Sequence, residues 1–285
     1  MNNSFKANES QIEQIIEYYK DYQVLDEKLL FKAKSDSFVV SIYANKTVFF
    51  QGKDAKVELL RWAKIDNYEE IVEHIGSDEV GCGDYFGPIV VCATYVSEKD
   101  YPLLKQLNVQ DSKNLSDKTI ESIASVLKEK IQYVSFVLSN KKYNEITFNM
   151  RFNMNKIKAY LHNFVLSKLV ELKKYHGLVV VDQFCSEKLY YEYLEDFENE
   201  QIFKDITFTT KAESKYLAVA SASIIARSIF IEQIQKMSKE LGKTILLGAN
   251  EKVDNLAKEI YQEKGLDYLS NYVKLNFKNT KKLYQ

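Results

Sequence analysis

The stretch Gly76-Ser77-Asp78-Glu79-Val80-Gly81-Cys82-Gly83-Asp84-Tyr85-Phe86-Gly87-Pro88 constrains this chain more than any other. It holds four of the nine glycines and one of only two prolines. The most permissive and the most restrictive backbones therefore fall together. Apolar residues lead into it (Ile71, Val72, Ile75), and an apolar run from Ile89 to Val96 leaves it. The pattern predicts strand, tight glycine turn, strand, with two adjacent carboxylates at the end of the first strand. Without a Cβ, the glycines of such a turn let backbone N–H groups come close to a ligand.

A second acid stands in a comparable place. Leu178-Val179-Val180-Val181-Asp182 is an apolar run ending in a carboxylate, which predicts a strand buried on both faces. Open α/β sheets place ligands beyond the carboxyl ends of such strands. A further strand is expected over Phe203 to Thr210, leading into Lys211-Ala212-Glu213. A helix is then expected from about Lys215 to Lys239, where Ala218, Ala220, Ala222 and Ala226 would let it approach a sheet closely. Ser116 suits the N-cap of a helix carrying Ile120, Ile123, Ala124 and Leu127, and Ile131 to Leu138 reads as a strand. Asn155 to Lys174 is expected to be a helix closed by Gly177, with Leu161, Phe164, Val165, Leu169 and Leu172 on one face. Two more helices, over Glu251–Glu263 and Leu266–Leu275, would be separated by Gly265. This order of elements predicts an α/β domain with a mixed sheet flanked by helices.

Ahead of the glycine stretch the pattern changes. Ser10-Gln11-Ile12-Glu13 has the form of a capping box, predicting a helix from about Gln11 to Tyr22. Ser37–Tyr43 and Thr47–Gln51, around Asn45-Lys46, predict a hairpin, and Asp54 to Trp62 a second helix. Lys28, Lys32, Lys34, Lys46, Lys53, Lys56, Arg61 and Lys64 are interleaved with Phe31, Phe38, Tyr43, Phe49 and Phe50. That mixture suits a sheet laid on a polyanion, and a lysine-rich solvated face fits it equally well. The polar stretch Ile65 to Glu70 is expected to be a linker, dividing the chain into a small domain (1–66) and a larger one (67–285).

Composition closes off several classes. A net charge of -1 across 285 residues gives no global attraction to nucleic acid, so any such binding needs local basic faces. Cys82, Cys92 and Cys185 are odd in number and lack C-x-x-C spacing, against a disulfide framework or a tetrahedral zinc site. The N-terminus carries no apolar signal-like core and no apolar run reaches about 18 residues. A cytoplasmic protein without a membrane partner is expected.

Asp78, Glu79, Asp182 and Glu213 are hard oxygen donors unaccompanied by Cys or His ligands, a set that suits Mg²⁺ or Mn²⁺. Carboxylates converging from strand ends serve phosphoryl transfer with two ions about 3.5–4 Å apart. Each acid also has an ordinary reading: a solvated turn pair for Asp78-Glu79, a strand terminator for Asp182, a first-turn helix acid for Glu213. The glycine spacing matches neither a dinucleotide fingerprint nor a P-loop. No Ser-His-Asp arrangement is suggested.

Taken together, these motifs resemble those of the type 2 ribonucleases H, in their ribonuclease HIII form. The glycine signature is joined, in order, by Asp111-Ser112-Lys113, Asp182-Gln183-Phe184, Lys211-Ala212-Glu213 and Ala222-Ser223-Ile224-Ile225-Ala226-Arg227. Phe31 to Lys34 and Gln51-Gly52-Lys53 match early motifs. The resemblance implies a ribonuclease H-like catalytic domain behind a small α+β substrate-binding domain similar to the TATA-binding-protein fold. It implies a monomeric endonuclease that cuts the RNA strand of RNA–DNA hybrids with two Mg²⁺ or Mn²⁺ ions, leaving 5′-phosphate and 3′-hydroxyl ends. On matching positions, Asp78, Glu79 and Asp182 would bind metal and Glu213 would be the fourth acid. Gly81, Cys82 and Gly83, with Ser112 and Lys113, would meet the substrate. Cys82 departs from the usual Gly-Thr-Gly, and Asn250 from the usual Gly or Ser of Gly248-Ala249-Asn250. Excision at single ribonucleotides in duplex DNA, as in the sister ribonuclease HII group, is the alternative within the class. That group has Arg where this chain has Cys82, and it lacks the small domain. Nucleic-acid binding without catalysis is the alternative outside the class.

Overall fold

The computed structural model describes residues 4–55, 58–59, 62, 73–110, 115–195 and 202–284. The chain divides into two compact units, Met1–Glu70 and Ile71–Gln285.

The first unit contains β1 (Ser4–Lys6), α1 (Glu9–Tyr19), β2 (Phe31–Lys34), β3 (Val39–Ile42) and β4 (Thr47–Gln51). Its antiparallel sheet runs in the order β1-β4-β3-β2. The expected hairpin forms with Val39 opposite Gln51 and Ile42 opposite Val48. Lys46 adopts φ +65° in its turn, where glycine would carry less strain. Helix α1 starts before the expected Gln11. Its capping box is Asn8 with Gln11, each side chain taking the other's backbone N–H at 2.9 and 2.7 Å. The Asn8 amide oxygen reaches the N3 amide, so the Ser10 box is displaced by two residues.

The aromatics of this unit do not share one exposed face. Phe31 and Phe50 are buried in the core with Ile15, Tyr19, Val40, Ile42 and Val48, while Tyr43 remains exposed. Two of the lysines named above are also paired, Lys32 with Asp26 and Lys46 with Glu9. The expected Asp54–Trp62 helix lies partly outside the described residues; Lys56, Arg61, Lys64 and the expected Ile65–Glu70 linker lie wholly outside them.

In the second unit, a five-stranded sheet is built from β5 (His74–Val80), β6 (Ile89–Val96), β7 (Gln132–Leu138), β8 (Leu178–Asp182) and β9 (Thr207–Thr209), in the order β7-β6-β5-β8-β9. The β5–β6 and β6–β7 pairs are antiparallel, whereas β8 runs parallel to both β5 and β9. The described helices are α2 (Tyr101–Gln106), α3 (Asp117–Lys130), α4 (Asn140–Asn149), α5 (Met154–Lys173), α6 (Glu187–Leu194), α7 (Leu217–Leu241), α8 (Glu251–Leu269) and α9 (Lys278–Lys281).

The mixed sheet flanked by helices follows from which side chains each element must bury. Val179, Val180 and Val181 are all buried, as a strand covered on both faces requires. On one face, Ile157, Leu161, Val165 and Leu169 of α5 pack against Ile75, Val91, Val179 and Val181. On the other, α7 comes so near that a Cβ on Gly76 would stand 2.6 Å from both Val219 N and Val219 Cγ2. Thr94 Oγ1 donates to Ala218 O at 2.7 Å across the same contact. The small residues of α7 thus meet the glycine of β5. α7 is long and apolar enough to cross a membrane, but 67% of its most apolar window is buried within the protein, as in a core helix.

Several boundaries differ from expectation. Leu172 is 60% exposed, and α5 ends at Lys174 in the left-handed conformation (φ +49°), three residues before Gly177. The strand expected over Phe203–Thr210 pairs only over Thr207–Thr209. Gly265 (φ +80°), non-helical within α8, separates two helical stretches as expected, but the second stops at Leu269 instead of reaching Leu275. α4 and α6 occupy stretches where no element was expected. Ser139 and Ser186 cap them, accepting from Lys142 N and Leu189 N, both at 3.3 Å.

Candidate active site

β5 runs through the acid pair. Asp78 lies opposite Cys92 and Glu79 opposite Val91, so the two carboxylates sit just inside the strand, short of its end at Val80. Neighbouring strand residues face opposite ways, and here they do. Asp78 faces α7, where the Ser223 hydroxyl donates to it. The Glu79 amide also donates to Asp78 Oδ1 at 2.8 Å. Glu79 faces α5, where Lys158 forms an ion pair with Oε1 and His162 Nε2 lies 2.8 Å from Oε2. The other ring nitrogen of His162 is 2.8 Å from Ser77 Oγ. Phe184 stacks on the His162 ring at 5.5 Å, and its centroid lies 4.1 Å from Lys158 Nζ.

Asp182 ends β8. Ser77 and Val181 are the last paired residues of the parallel β5–β8 ladder, so Asp78 and Asp182 follow on the next rung. Asp182 Oδ1 accepts from Ala212 N at 3.1 Å, and Glu213 is the next residue, within the single turn Ala212–Ser214. Asp182 thereby fixes the chain segment that carries Glu213.

Electrostatics separates the adjacent acids. Burial, then the Glu79 charge, pushes the Asp78 carboxyl above the usual range; Asp182 adds to this, while Ser223 and the Glu79 amide oppose it. Burial acts against ionised Glu79 too. There His162 and Lys158 outweigh it and hold the carboxyl below its ordinary value. Among the described residues Asp78 has no cationic partner, whereas Glu79 has the Lys158 ammonium and, beside it, the His162 ring.

The donor set fits a hard divalent cation. It offers carboxylate oxygens alone, and Asp78 is a half-buried acid beside two others, so its ionised form gains most from a nearby positive charge. Among the described residues no three His, Cys, Asp or Glu side chains are already gathered as a metal cage. Asp78 and Asp182 come together, Glu213 follows the residue that bonds Asp182, and Glu79 is held toward α5.

The glycine turn is braced from behind. Gly81 has φ +90°, and a Cβ there would stand 2.2 Å from Pro88 O. Gly83 is exposed, with nothing within 4 Å of its would-be Cβ; its open side faces outward. Burial pushes the Cys82 thiol up to about 12, so it is not a thiolate nucleophile. The fully buried Lys274 donates to Asp84 O at 2.8 Å and Gly87 O at 2.5 Å. Gly87 O also accepts from Asn140 Nδ2 at 2.8 Å. Asp84 Oδ1 accepts from Gly248 N at 2.6 Å. Asn250, the departure noted above, caps α8 by accepting from Lys252 N and Val253 N. Ser112 and Lys113 lie outside the described residues.

Lys158, His162, Ser223 and Lys274 were given no role by the sequence reading. Lys158 and His162 are four residues apart, the spacing that puts two side chains on one face of a helix. Lys274 interrupts an apolar run, Tyr272-Val273-Lys274-Leu275.

Comparison with known proteins agrees over nearly the whole chain. The profile of the Ribonuclease HII family matches residues 75–280, and that of a domain of unknown function matches residues 2–70. Ribonuclease HIII of Phytoplasma mali is 38% identical, over 99% of this chain and 98% of its own. Ribonuclease HIII of Bacillus anthracis is 39% identical, over 90% and 88%. The crystal structure of Bst-RNase HIII in complex with Mn²⁺ superposes with a TM-score of 0.76 at 33% identity, covering 100% of this chain and 98% of that one. Matched along nearly its full length by relatives of this identity and by a solved structure of the same fold, the chain belongs to the ribonuclease HIII group of the type 2 ribonuclease H family.

Proposed function

We propose that this chain is a metal-dependent endonuclease that hydrolyses the RNA strand of RNA–DNA hybrids, leaving 5′-phosphate and 3′-hydroxyl ends. The observation that carries the reading is the adjacency of Asp78 and Asp182 at the end of the parallel ladder, beside a glycine turn with an open outer side. Two acids from different strands brought together in partial burial are poor surface decoration and good ligands. Asp78, Glu79 and Asp182 would hold Mg²⁺ or Mn²⁺, with Glu213 as the fourth acid.

When bound, such ions supply an activated water and stabilise the leaving oxygen. The chain's own residues do the rest. Ser223 and the Glu79 amide fix the Asp78 carboxylate, while His162 fixes that of Glu79. The Ala212 amide aims Asp182. The backbone of Gly81–Gly83 would approach the RNA strand, where the 2′-hydroxyl distinguishes RNA from DNA. Cys82 offers no hydroxyl there, so recognition would rest on main-chain groups. The 1–66 domain would bind substrate through phosphate contacts. Because Lys32 and Lys46 are already ion-paired, fewer lysines serve than the sequence suggests. Affinity would fall with salt.

The deciding experiment offers two duplexes, an RNA–DNA hybrid and a DNA duplex with one ribonucleotide, each with Mg²⁺ and then Mn²⁺. Cleavage of the hybrid along the RNA strand is expected. Cleavage of the second duplex alone would make the chain an excision enzyme, and binding without cleavage in either metal would make it a nucleic-acid-binding protein.

A further inference from the structure

Glu79 has both oxygens committed inside the protein, but its two partners differ in kind. His162 is a fixed support, held by Ser77 at one nitrogen and by the Phe184 ring on its face. Lys158 reaches Oε1 from α5 on a flexible four-carbon stem. The same ammonium lies 4.1 Å from the Phe184 ring centroid, and an aromatic face attracts a cation independently of the carboxylate. Side-chain exposure is only 12% for Lys158 and 15% for Glu79, so water screens this pair weakly. The positive charge sits where the carboxylate cluster would otherwise be short of one.

We propose that Lys158 is a built-in counter-cation of the carboxylate cluster, holding Glu79 Oε1 while the cluster is metal-free and yielding that oxygen to an arriving divalent ion. The inference rests on the reading of Asp78, Glu79 and Asp182 as metal ligands. Lys158 acts through Glu79 and is a positioning residue. The Phe184 face, already in contact with the ammonium, would hold it beside the Asp182-Gln183-Phe184 segment once Oε1 is given up.

The proposal has a sign that a structural role does not share. An ammonium at Oε1 both occupies a ligand oxygen and repels an incoming cation. Removing it tightens metal binding. Were Lys158 merely a brace for Glu79, removing it would misplace the ligand and weaken binding.

The test measures Mn²⁺ binding to the full chain by isothermal titration calorimetry without substrate, for the unaltered protein and Lys158→Met, Lys158→Arg and Asp78→Asn. Melting in chelator is recorded alongside. Lys158→Met is expected to bind Mn²⁺ about three-fold or more tighter and to melt lower in chelator, because it leaves a buried carboxylate with one partner fewer. Lys158→Arg keeps the charge and stays near the unaltered affinity. Should Lys158→Met not fold without metal, Lys158→Gln takes its place with the same expected sign. Unchanged or weaker Mn²⁺ binding in the neutral variant overturns the counter-cation role, provided Asp78→Asn loses binding. If Asp78→Asn binds Mn²⁺ as the unaltered chain does, the ligand reading itself fails.

Discussion

Asp78 and Asp182 stand on the rung just beyond Ser77 and Val181, the last paired residues of two parallel strands, and the Asp182 charge helps raise the Asp78 carboxyl. Asp78→Asn keeps the shape and removes one charge. We expect it to abolish hydrolysis of a hybrid while preserving hybrid binding. It should also melt higher than the unaltered chain in chelator, since a buried like-charge contact is gone. Full hydrolytic activity in this variant would sink the metal-ligand assignment.

The 2.8 Å contact between His162 Nε2 and Glu79 Oε2 is backed by Ser77 on the far side of the ring. Partners that orient a metal-ligating carboxylate typically contribute about 10- to 100-fold to activity or metal affinity. His162→Ala should lower kcat by about that factor with little change in KM, and His162→Gln should recover part of the loss. If both variants keep the unaltered kcat, the ring serves packing alone.

What could be read from the sequence, and what could not, divides along physical lines. Leu178–Asp182 is the strand it was expected to be, because an unbroken apolar run has little else to do. The α/β class and the Ser116 cap follow equally local rules. Asp78 and Glu79 were legible as a pair, but their place inside the strand was not: β5 continues past them to Val80, which fixes them on opposite faces of the strand. His162 and Lys158 looked like ordinary positions of an amphipathic helix. Their meaning appears only when α5 crosses β5, a tertiary event with no local mark. Lys274 was hidden for the same reason. Leu172 and Gly177 were misread because α5 ends by a left-handed lysine, a conformation glycine adopts more readily.

Two glycines of the signature should respond oppositely to the same substitution. Gly76→Ala drives a methyl into Val219 backbone and side chain at 2.6 Å, and overpacking of this kind costs about 1–3 kcal/mol. Gly83→Ala meets nothing within 4 Å, so stability should stay within about 0.5 kcal/mol. A methyl on its open side should instead hinder backbone approach and raise KM for the hybrid. Urea denaturation and steady-state kinetics on both variants separate the cases. Equal KM values for Gly83→Ala and the unaltered chain would remove the turn from substrate contact.

The first unit carries its own core, with Ile15, Val40, Ile42 and Val48 fully buried. Deleting residues 1–66 should therefore leave the catalytic unit folded, raising KM and changing kcat little. An unchanged KM refutes a substrate-binding role for that domain.

Lys274 supplies a stability test that involves no metal. Burial lowers its ammonium to about 8, against the opposing pull of Cys82 and Asp84. The unfolded chain keeps that proton up to the ordinary value of 10.5. Below about pH 8 the lysine is charged in both states and its burial penalty is complete, on the order of 3 kcal/mol for such a shift. From there to about pH 10 the unfolded chain binds more protons than the folded one, so this group's contribution to stability rises with pH. Comparison with Lys274→Met isolates it from the other lysines and tyrosines. The unaltered chain should gain on the variant by up to about 3 kcal/mol across that window, read from urea midpoints at several pH values. A flat or falling difference would mean that the ammonium keeps its charge on Asp84 O and Gly87 O throughout. The glycine turn would then rest on a permanent buried cation.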